Sequence, residues 1–270
     1  MNSNESAIRY PRQFAQIRQM VEAQANLNSQ SYSHSWLAMG ALSDDDPKTW
    51  DYPLAAAQEL SEFLNSWSYA WWATKTWPIE EPDDRSNCLT ELVDAWHFIL
   101  SQALIEEDGD TYRAATCLIN GFALCADSGV TSGHRAVILH AKKLSSYLMD
   151  YCETPAALAL IHCKFFELLA AAGFSMDHFH VRYTAKLQLN IFRQLNGYKD
   201  KPRTYVKNWK DGKEDNYFLS EWIDGIFNDV QKGAESKLPT EAEIMAWIAA
   251  NYYSHTNKKS VTPNTVEEDV

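Results

Sequence analysis

The segments AAQELSEFLN (residues 56–65) and CLTELVDAWHFIL (residues 88–100) each set two acidic residues among apolar ones. The acids are three residues apart in each segment, and twenty-eight residues separate the two pairs: Glu59 with Glu62, and Glu91 with Asp94. Residues at i and i+3 share one face of a helix, so each pair points two carboxylates the same way. Burying four carboxylates is costly without compensating cations, and divalent metal is the simplest compensation. All-oxygen ligands favour Mg²⁺ or Mn²⁺, and such metal commonly holds a polyphosphate.

The plainest alternative is that these acids are solvated on the surfaces of amphipathic helices, because Glu is a common helix former. The residues that flank them argue against a wholly solvated face: Leu60, Phe63, Leu64, Leu92, Val93, Phe98 and Ile99. We therefore expect a metal-dependent enzyme that acts on a phosphorylated substrate.

Composition predicts an all-α protein. The 270 residues include only Gly 10 and Pro 9, with long runs of helix-forming residues, and 46% are hydrophobic, enough for a sizeable core. We expect a single domain over residues 1–254 and a disordered polar tail over residues 255–270. Within the domain, we expect a core of about 11–106 and 174–230 with a helical insertion of about 107–173.

Charge and cysteine content exclude several classes of protein. The net charge of −12 argues against nucleic acid or an anionic membrane as a partner, because either needs a broad basic surface. The five cysteines are odd in number and include no C-x-x-C pair, so we expect reduced thiols. The N-terminus has no apolar signal region, and no stretch approaches about eighteen apolar residues. These features predict a cytoplasmic protein.

Periodicity and capping residues predict the helices. Ser86 or Asn87 is the expected cap of the helix that carries Glu91, and Asn196-Gly197 is an expected stop. The predicted helices are residues 11–28, 54–75, about 87–105, three segments within 111–172, then 175–196, 216–231 and 240–253.

A basic stretch from Arg182 to Lys213 holds nine Lys or Arg against two Asp. Lys186, Asn190 and Arg193 recur at steps of four and three, so they line one stripe of a helix. An ammonium, an amide and a guanidinium all donate to phosphate oxygens, which predicts an anion clamp beside the carboxylates. A solvated charged face that offsets the acidic remainder is the alternative.

Two further patterns have competing interpretations. The aromatic residues Trp67, Tyr69, Trp71, Trp72 and Trp77 are expected to lie mostly in the core or an interface, although one could stack on a planar base. The pairs Asp94-x-x-His97 and Asp177-x-x-His180 superficially suggest a di-iron bundle. That pattern normally has Glu in both pairs and single Glu ligands on separate helices, so we interpret His97 as a hydrogen-bonded core residue.

Assembled, these segments resemble the dimeric all-α dUTPases, relatives of the MazG-type nucleoside triphosphate pyrophosphatases. The family pattern is Glu-x-x-Glu, a spacer, then Glu-x-x-Asp. Four further blocks are similar to the family: AQANLN (23–28), EFLNSWSYAWW (62–72), ELVDAWHFILS (91–101), and AKLQLNIFRQLNGYKD (185–200) with KEDN (213–216). The sequence departs from it at residues 69–73, YAWWA, where the closest relatives have Trp-Lys-Trp-Trp-Lys; Lys75 is a possible substitute.

The resemblance implies a multi-helix bundle with a central insertion, and a homodimer. It implies two or three Mg²⁺ ions, with Mn²⁺ as a substitute, held by Glu59, Glu62, Glu91 and Asp94. Glu59 or Glu62 would help to deprotonate the attacking water. The phosphates would be bound by Lys186, Asn190, Arg193, Tyr198 and Lys199. Gln24 and Asn28 would read the base edge, and Trp71 would pack against the nucleotide beside Lys75.

The activity implied is hydrolysis of dUTP to dUMP and pyrophosphate, with water attacking the α-phosphorus; dUDP is a further candidate substrate. An amide offers both a donor and an acceptor, so it suits uracil but also cytosine if flipped. A pyrophosphatase of the same fold for dCTP or a modified nucleotide is therefore the nearest alternative. A non-catalytic helical interaction protein, whose acids and bases pair with one another, is the second.

Overall fold

The computed structural model describes residues 3–32, 36–37, 51–67, 82–151, 155–234 and 237–256. Within these ranges all regular structure is helical except for an isolated bridge between Asn208 and Glu214. The predicted all-α fold class is therefore confirmed. The predictions for Trp71, Lys75, the aromatic residues at 69, 72 and 77, and the tail beyond residue 256 fall outside the described residues. The predicted start of the tail at residue 255 is wrong, because the last helix extends to Thr256.

The described residues form ten α-helices and a 3-10 turn at Lys210–Gly212. The α-helices are α1 (Ser3–Arg9), α2 (Pro11–Tyr32), α3 (Tyr52–Ser66), α4 (Pro82–Glu106), α5 (Thr111–Ser128), α6 (His134–Met149), α7 (Pro155–Ala171), α8 (Met176–Leu195), α9 (Asp215–Gln231) and α10 (Glu241–Thr256).

Helix ends agree best with the sequence where a local cap is present. The Ser175 hydroxyl accepts a hydrogen bond from the backbone N–H of His178 at 3.2 Å and starts α8. At the other end, Gly197 has φ +82°, and a Cβ there would lie 1.8 Å from Thr204 Oγ1. The turn after α8 therefore requires glycine, which confirms the predicted stop and fixes where Tyr198 leaves the helix.

The predicted cap of the helix that carries Glu91 is wrong. α4 begins at Pro82, so Ser86 and Asn87 lie inside the helix, and proline is readily accepted in its first turn. The Ser86 hydroxyl donates instead to Asp224 Oδ2 at 2.7 Å, across 138 residues of sequence. A partner so distant leaves no local pattern to find.

Two other helix ends also differ from the prediction. Residues before Pro11 carry no apolar periodicity, yet they form α1, which packs against α5 and ties Arg9 to Asp127 at 2.9 Å. α3 ends at Ser66 with Trp67 as its C-cap, and its predicted continuation to Lys75 lies outside the described residues.

One large apolar cluster holds α2 to α8 together. Trp96 of α4 is fully buried at its centre, with ring centroids 4.5 Å from Phe165 and 5.9 Å from Phe179. Aromatic side chains of this size contribute most to core stability. Helices α5 to α7, the predicted insertion, thus share a core with α4, while their separation as an insertion stays a prediction.

Helix α8 contributes side chains to two clusters. Tyr183 and Leu187 join the large cluster, whereas Leu189 and Phe192 join a smaller one with α9 and α10. Since both faces of α8 are packed, its polar side chains are held in fixed positions. Among the described helices, no single one is long and apolar enough to cross a membrane; α7 and α8 pass such a test only as a pair, with a bend of 107° between them.

The crossing of α5 and α7 gives a test of this packing. A Cβ on Gly121 would lie 2.5 Å from the Cβ of His162 and 3.0 Å from the backbone nitrogen of Cys163. Gly121→Ala should lower the free energy of unfolding by about 1–3 kcal/mol, because overpacking outweighs the better helix propensity of alanine. Urea unfolding followed by circular dichroism measures the change.

The matched control is Gly225→Ala in α9, where no described neighbouring atom lies within 4 Å of the added methyl group. It should be neutral or stabilising by up to about 1 kcal/mol. Wild-type stability in the Gly121 variant would contradict close packing at this crossing.

Candidate functional site

A cleft of about 380 Å³ opens between α2, α3, α4 and the C-terminal half of α8. The predicted site residues that line it are Gln24, Asn28, Glu59, Asp94, Lys186, Asn190, Arg193, Tyr198 and Lys199. Seven residues that the sequence did not single out as site residues also line it: Leu27, Ser31, Tyr52, His97, Phe98, Ser101 and Gln194. His97 follows Asp94 by three residues and Ser101 follows His97 by four, so all three share one face of α4 and lie in the block ELVDAWHFILS.

Three of the four predicted metal ligands converge. One carboxylate oxygen from each of Glu59, Glu62 and Glu91 lies within 4.8 Å of the others. Glu59 and Glu91 are partly buried, and Glu62 is exposed. The chemistry of this donor set suits a hard divalent cation, which prefers carboxylate oxygens. Within the part of the chain that the structure describes, no other group of three potential ligands lies so close together.

The convergence concentrates negative charge. Burial, followed by the charges of Asp94 and Glu62, raises the pKa of Glu59 from 4.5 to about 7. Burial and the nearby Asp94 likewise raise the pKa of Glu91 to about 7. Both shifts mean that burial and, after it, the neighbouring negative charges disfavour the ionised carboxylates, and bound dications would offset both effects.

Asp94 has a cation as its partner. Lys186 Nζ donates to Asp94 Oδ2 at 2.7 Å, and the lysine is buried. Helix α8 thus places a predicted phosphate-binding ammonium directly beside a predicted metal ligand. A group so placed can hold either the carboxylate or a phosphate oxygen.

Arg193 is engaged more firmly than the sequence predicted. Its Nε and Nη2 donate to the two oxygens of Asp215 at 2.9 and 2.5 Å, and Asp215 is fully buried. The hydroxyl of Tyr205 also donates to Asp215, at 2.8 Å. The guanidinium lies 5.6 Å from the ring of Tyr198, which lines the cleft. Arg193 therefore fixes the wall of the cleft, with most of its donors already used.

The remaining predicted anion-binding groups lie near the end of α8. Asn190 Oδ1 accepts from Arg193 Nη1 at 3.3 Å, and Lys199 Nζ donates to the carbonyl of Ser31 at 3.2 Å. The guanidinium carbon of Arg203 lies 4.1 Å from the centroid of the Tyr198 ring, so this ring contacts a second arginine. The structure thus brings Lys186 and Asn190, two residues of the predicted stripe, into one cleft with Lys199.

A polar network occupies another part of the cleft wall. Gln24 and Asn28 of α2 bond to each other at 2.8 Å and both bond to Ser101 of α4. His97 contacts Gln24 Oε1 at 2.6 Å, and burial lowers the pKa of its ring to about 4, so the ring is neutral near pH 7. His97 is hydrogen-bonded as predicted, but it also lines the cleft.

The di-iron interpretation fails on geometry. Asp177 pairs with Arg12 at 2.7 Å and accepts from Gln16 at 2.9 Å. His180 Nε2 contacts Gln19 at 3.1 Å. These groups face α2 instead of joining Glu59, so the second carboxylate-x-x-His pair contributes no ligand to the carboxylate cluster.

Comparison with known proteins gives one result. Residues 16–198 match the model of a family described as dUTPase. The match covers the carboxylate cluster and the stripe of Lys186, Asn190 and Arg193, and it ends one residue before Lys199. No curated protein matches the chain.

The carboxylate cluster predicts an unusual dependence of stability on pH. The pKa values of Glu59 and Glu91, about 7, exceed the ordinary 4.5, so the folded chain binds more protons than the unfolded chain between these values. Their contribution to stability is present below about pH 4.5 and is lost as the pH rises through about 7. In a chelating buffer, Glu91→Gln should therefore gain stability relative to wild type between about pH 5 and pH 8.

Thermal unfolding in chelator and in excess Mg²⁺ measures this difference. Mg²⁺ should stabilise wild type most at the higher pH and should stabilise Glu91→Gln less. Glu221→Gln, an exposed change on α9, is the control and should follow wild type. The same pH dependence in wild type and Glu91→Gln would contradict charge crowding at the cluster.

Proposed function

Because the chain belongs to the dUTPase family, we propose that it is a Mg²⁺-dependent hydrolase that converts dUTP to dUMP and pyrophosphate. The observation that carries the proposal is the convergence of Glu59, Glu62 and Glu91, of which Glu59 lines the cleft together with Asp94 and Lys186. Clustered carboxylates beside an ammonium suit a triphosphate with its metal ions.

The donor set assigns the groups that would hold the ions. Glu59, Glu62 and Glu91 offer converging oxygens, and Asp94 would join them when Lys186 turns to a phosphate oxygen. When bound, Mg²⁺ would neutralise charge on the triphosphate and make water a better nucleophile.

The chain's own groups would do the rest. Glu59 or Glu62 would accept a proton from the attacking water. Lys186, Asn190 and Lys199 would bind phosphate oxygens. Arg193 would hold Tyr198 against the substrate through the Asp215 ion pair.

The polar network supports binding of a pyrimidine in the same cleft. Asn28 offers donor and acceptor positions there, next to Gln24 and His97. Trp71 and Lys75 stay in the proposal as nucleotide-contacting residues on the strength of the family resemblance. The proposed assembly, a homodimer, rests on that resemblance as well.

Purified protein assayed with Mg²⁺ against a panel of nucleoside triphosphates tests the activity. We expect pyrophosphate release from dUTP at the highest kcat/KM, with the α-phosphorus as the point of attack. Hydrolysis in ¹⁸O-labelled water should therefore place the label in dUMP. Preferential turnover of dCTP would overturn the assigned substrate, and no turnover of any triphosphate would favour the interaction-protein alternative.

Glu62→Gln tests the carboxylate cluster. The change removes one charge at an exposed position without changing the shape of the side chain, so the fold should persist. We expect kcat to fall by about 100-fold or more, with a smaller change in KM.

Glu22→Gln on α2 is the matched control, since Glu22 pairs with Arg18 at 2.7 Å outside the cleft. It should keep wild-type kinetics. A Glu62→Gln enzyme with near-normal kcat would remove Glu62 from the chemistry.

A further inference from the structure

The side-chain amide of Gln24 is saturated by protein groups. Its Nε2 donates to Asn28 Oδ1 at 2.8 Å and to Ser101 Oγ at 3.2 Å. Its Oε1 contacts His97 Nδ1 at 2.6 Å and lies 3.1 Å from the Tyr183 hydroxyl, whose single hydrogen is shared with the carbonyl oxygen of Met20 at 3.0 Å. A primary amide has two donor hydrogens and accepts at two lone pairs. Gln24 therefore has no position left for a ligand, although it lines the cleft.

One backbone carbonyl sets the direction of these bonds. Ser101 Oγ lies 2.9 Å from the carbonyl oxygen of His97, which can only accept, so the single hydroxyl hydrogen is used there. Only lone pairs of Ser101 remain for the two amides. Gln24 and Asn28 must both turn an N–H toward it, at 3.2 and 3.0 Å.

The same constraint fixes the tautomer of His97. With its nitrogen facing Ser101, Gln24 turns its oxygen to the imidazole, so His97 Nδ1 must carry the proton. A second observation agrees: Nε2 of His97 is buried and has no hydrogen-bond partner among the described residues. A buried lone pair without a partner is tolerated better than a buried N–H without one.

Asn28 is the member of the network with unused capacity. One of its N–H groups goes to Ser101 and one lone pair of its oxygen to Gln24, which leaves one donor and one acceptor position. A flipped Asn28 would set two N–H donors against each other and an oxygen against the lone pairs of Ser101. Both hydrogen bonds would be lost, so the amide is held in one orientation.

We propose that His97, Gln24 and Ser101 are positioning residues that lock the amide of Asn28, and that this lock makes the cleft select uracil over cytosine. The proposal rests on the proposed function and deepens it. Uracil presents an N–H at N3 between two carbonyl groups, whereas cytosine presents a lone pair at N3 beside an amino group. A free amide can satisfy either base by flipping, and a locked amide cannot.

The lock predicts a selectivity that depends on residues without direct contact to the base. Breaking it should leave phosphate binding in place and change the ratio of affinities for the two bases. A site built to hydrogen-bond one donor pattern rejects the wrong pattern because buried polar groups are left unpaired.

Long-range ¹H–¹⁵N NMR of the histidine rings tests the lock without any nucleotide. The His97 signals, assigned by their absence from His97→Gln, should be those of the neutral Nδ1–H tautomer. Ser101→Ala should shift them toward a tautomer mixture, because Gln24 is then free to turn. A wild-type Nε2–H tautomer would overturn the proposal whatever the enzyme's substrate is.

Calorimetric titration with α,β-imido-dUTP and α,β-imido-dCTP in Mg²⁺ tests the selectivity. In Ser101→Ala the preference for uracil should fall by about 10-fold or more. In Gln24→Glu an ionised carboxylate can only accept, so Asn28 must turn its N–H toward it, and the preference should reverse to cytosine. Any effect of the added charge on the triphosphate is common to both ligands and cancels in the ratio.

Ser29→Ala is the matched control, because its hydroxyl donates to the carbonyl of Ala25 at 2.9 Å on α2, outside the network. It should keep the wild-type ratio. Wild-type ratios in both Ser101→Ala and Gln24→Glu would overturn the role of the lock in base selectivity while leaving the proposed function intact. Failure of wild type to bind either nucleotide would instead overturn the proposed function, and the NMR result would still decide the lock.

Discussion

Mutual repulsion of carboxylates beside an apolar core is the constraint on which the rest of the cleft depends. Glu59 and Glu91 project from helices whose other faces are buried, so they cannot move apart without unpacking Leu60 or Leu92. Nearby cations and hydrogen-bond donors partly offset this negative charge. Lys186 holds Asp94, and the amide of Asn87 donates to Glu91 at 3.0 Å. The same rigidity that crowds the charges also keeps the ligand oxygens together, which is what a metal site needs.

Helix α8 links this charge to the rest of the fold. Arg182, buried on the same helix as Lys186, donates to Asp224 at 2.8 Å and to the carbonyl of Ser86 at 2.9 Å. Those bonds join α4 and α9 to α8 behind the cleft. The packing of α8 and the ion pair between Arg182 and Asp224 therefore fix where Lys186 lies relative to Asp94.

Sequence reasoning reached the parts of the fold that local rules control. The i, i+3 acids, the start of α8 near Ser175 and the turn at Gly197 each follow from neighbours a few residues away. It could not predict the role of a side chain whose hydrogen-bond partner lies far away in the sequence. Ser86 looks like a cap until Asp224 is placed beside it. Arg193 looks like a free anion ligand until Asp215 is found bonded to it.

The Arg193–Asp215 pair also bears on how the protein is built. The segment that matches the family ends at Tyr198, yet the carboxylate that neutralises Arg193 belongs to α9, beyond that boundary. Removing one partner of a buried ion pair typically costs about 3–5 kcal/mol. A chain trimmed to the matched segment would keep nearly every residue of the cleft, but the buried guanidinium of Arg193 would lose its carboxylate partner. Helix α9 is therefore required to neutralise Arg193, although it lies outside the matched segment.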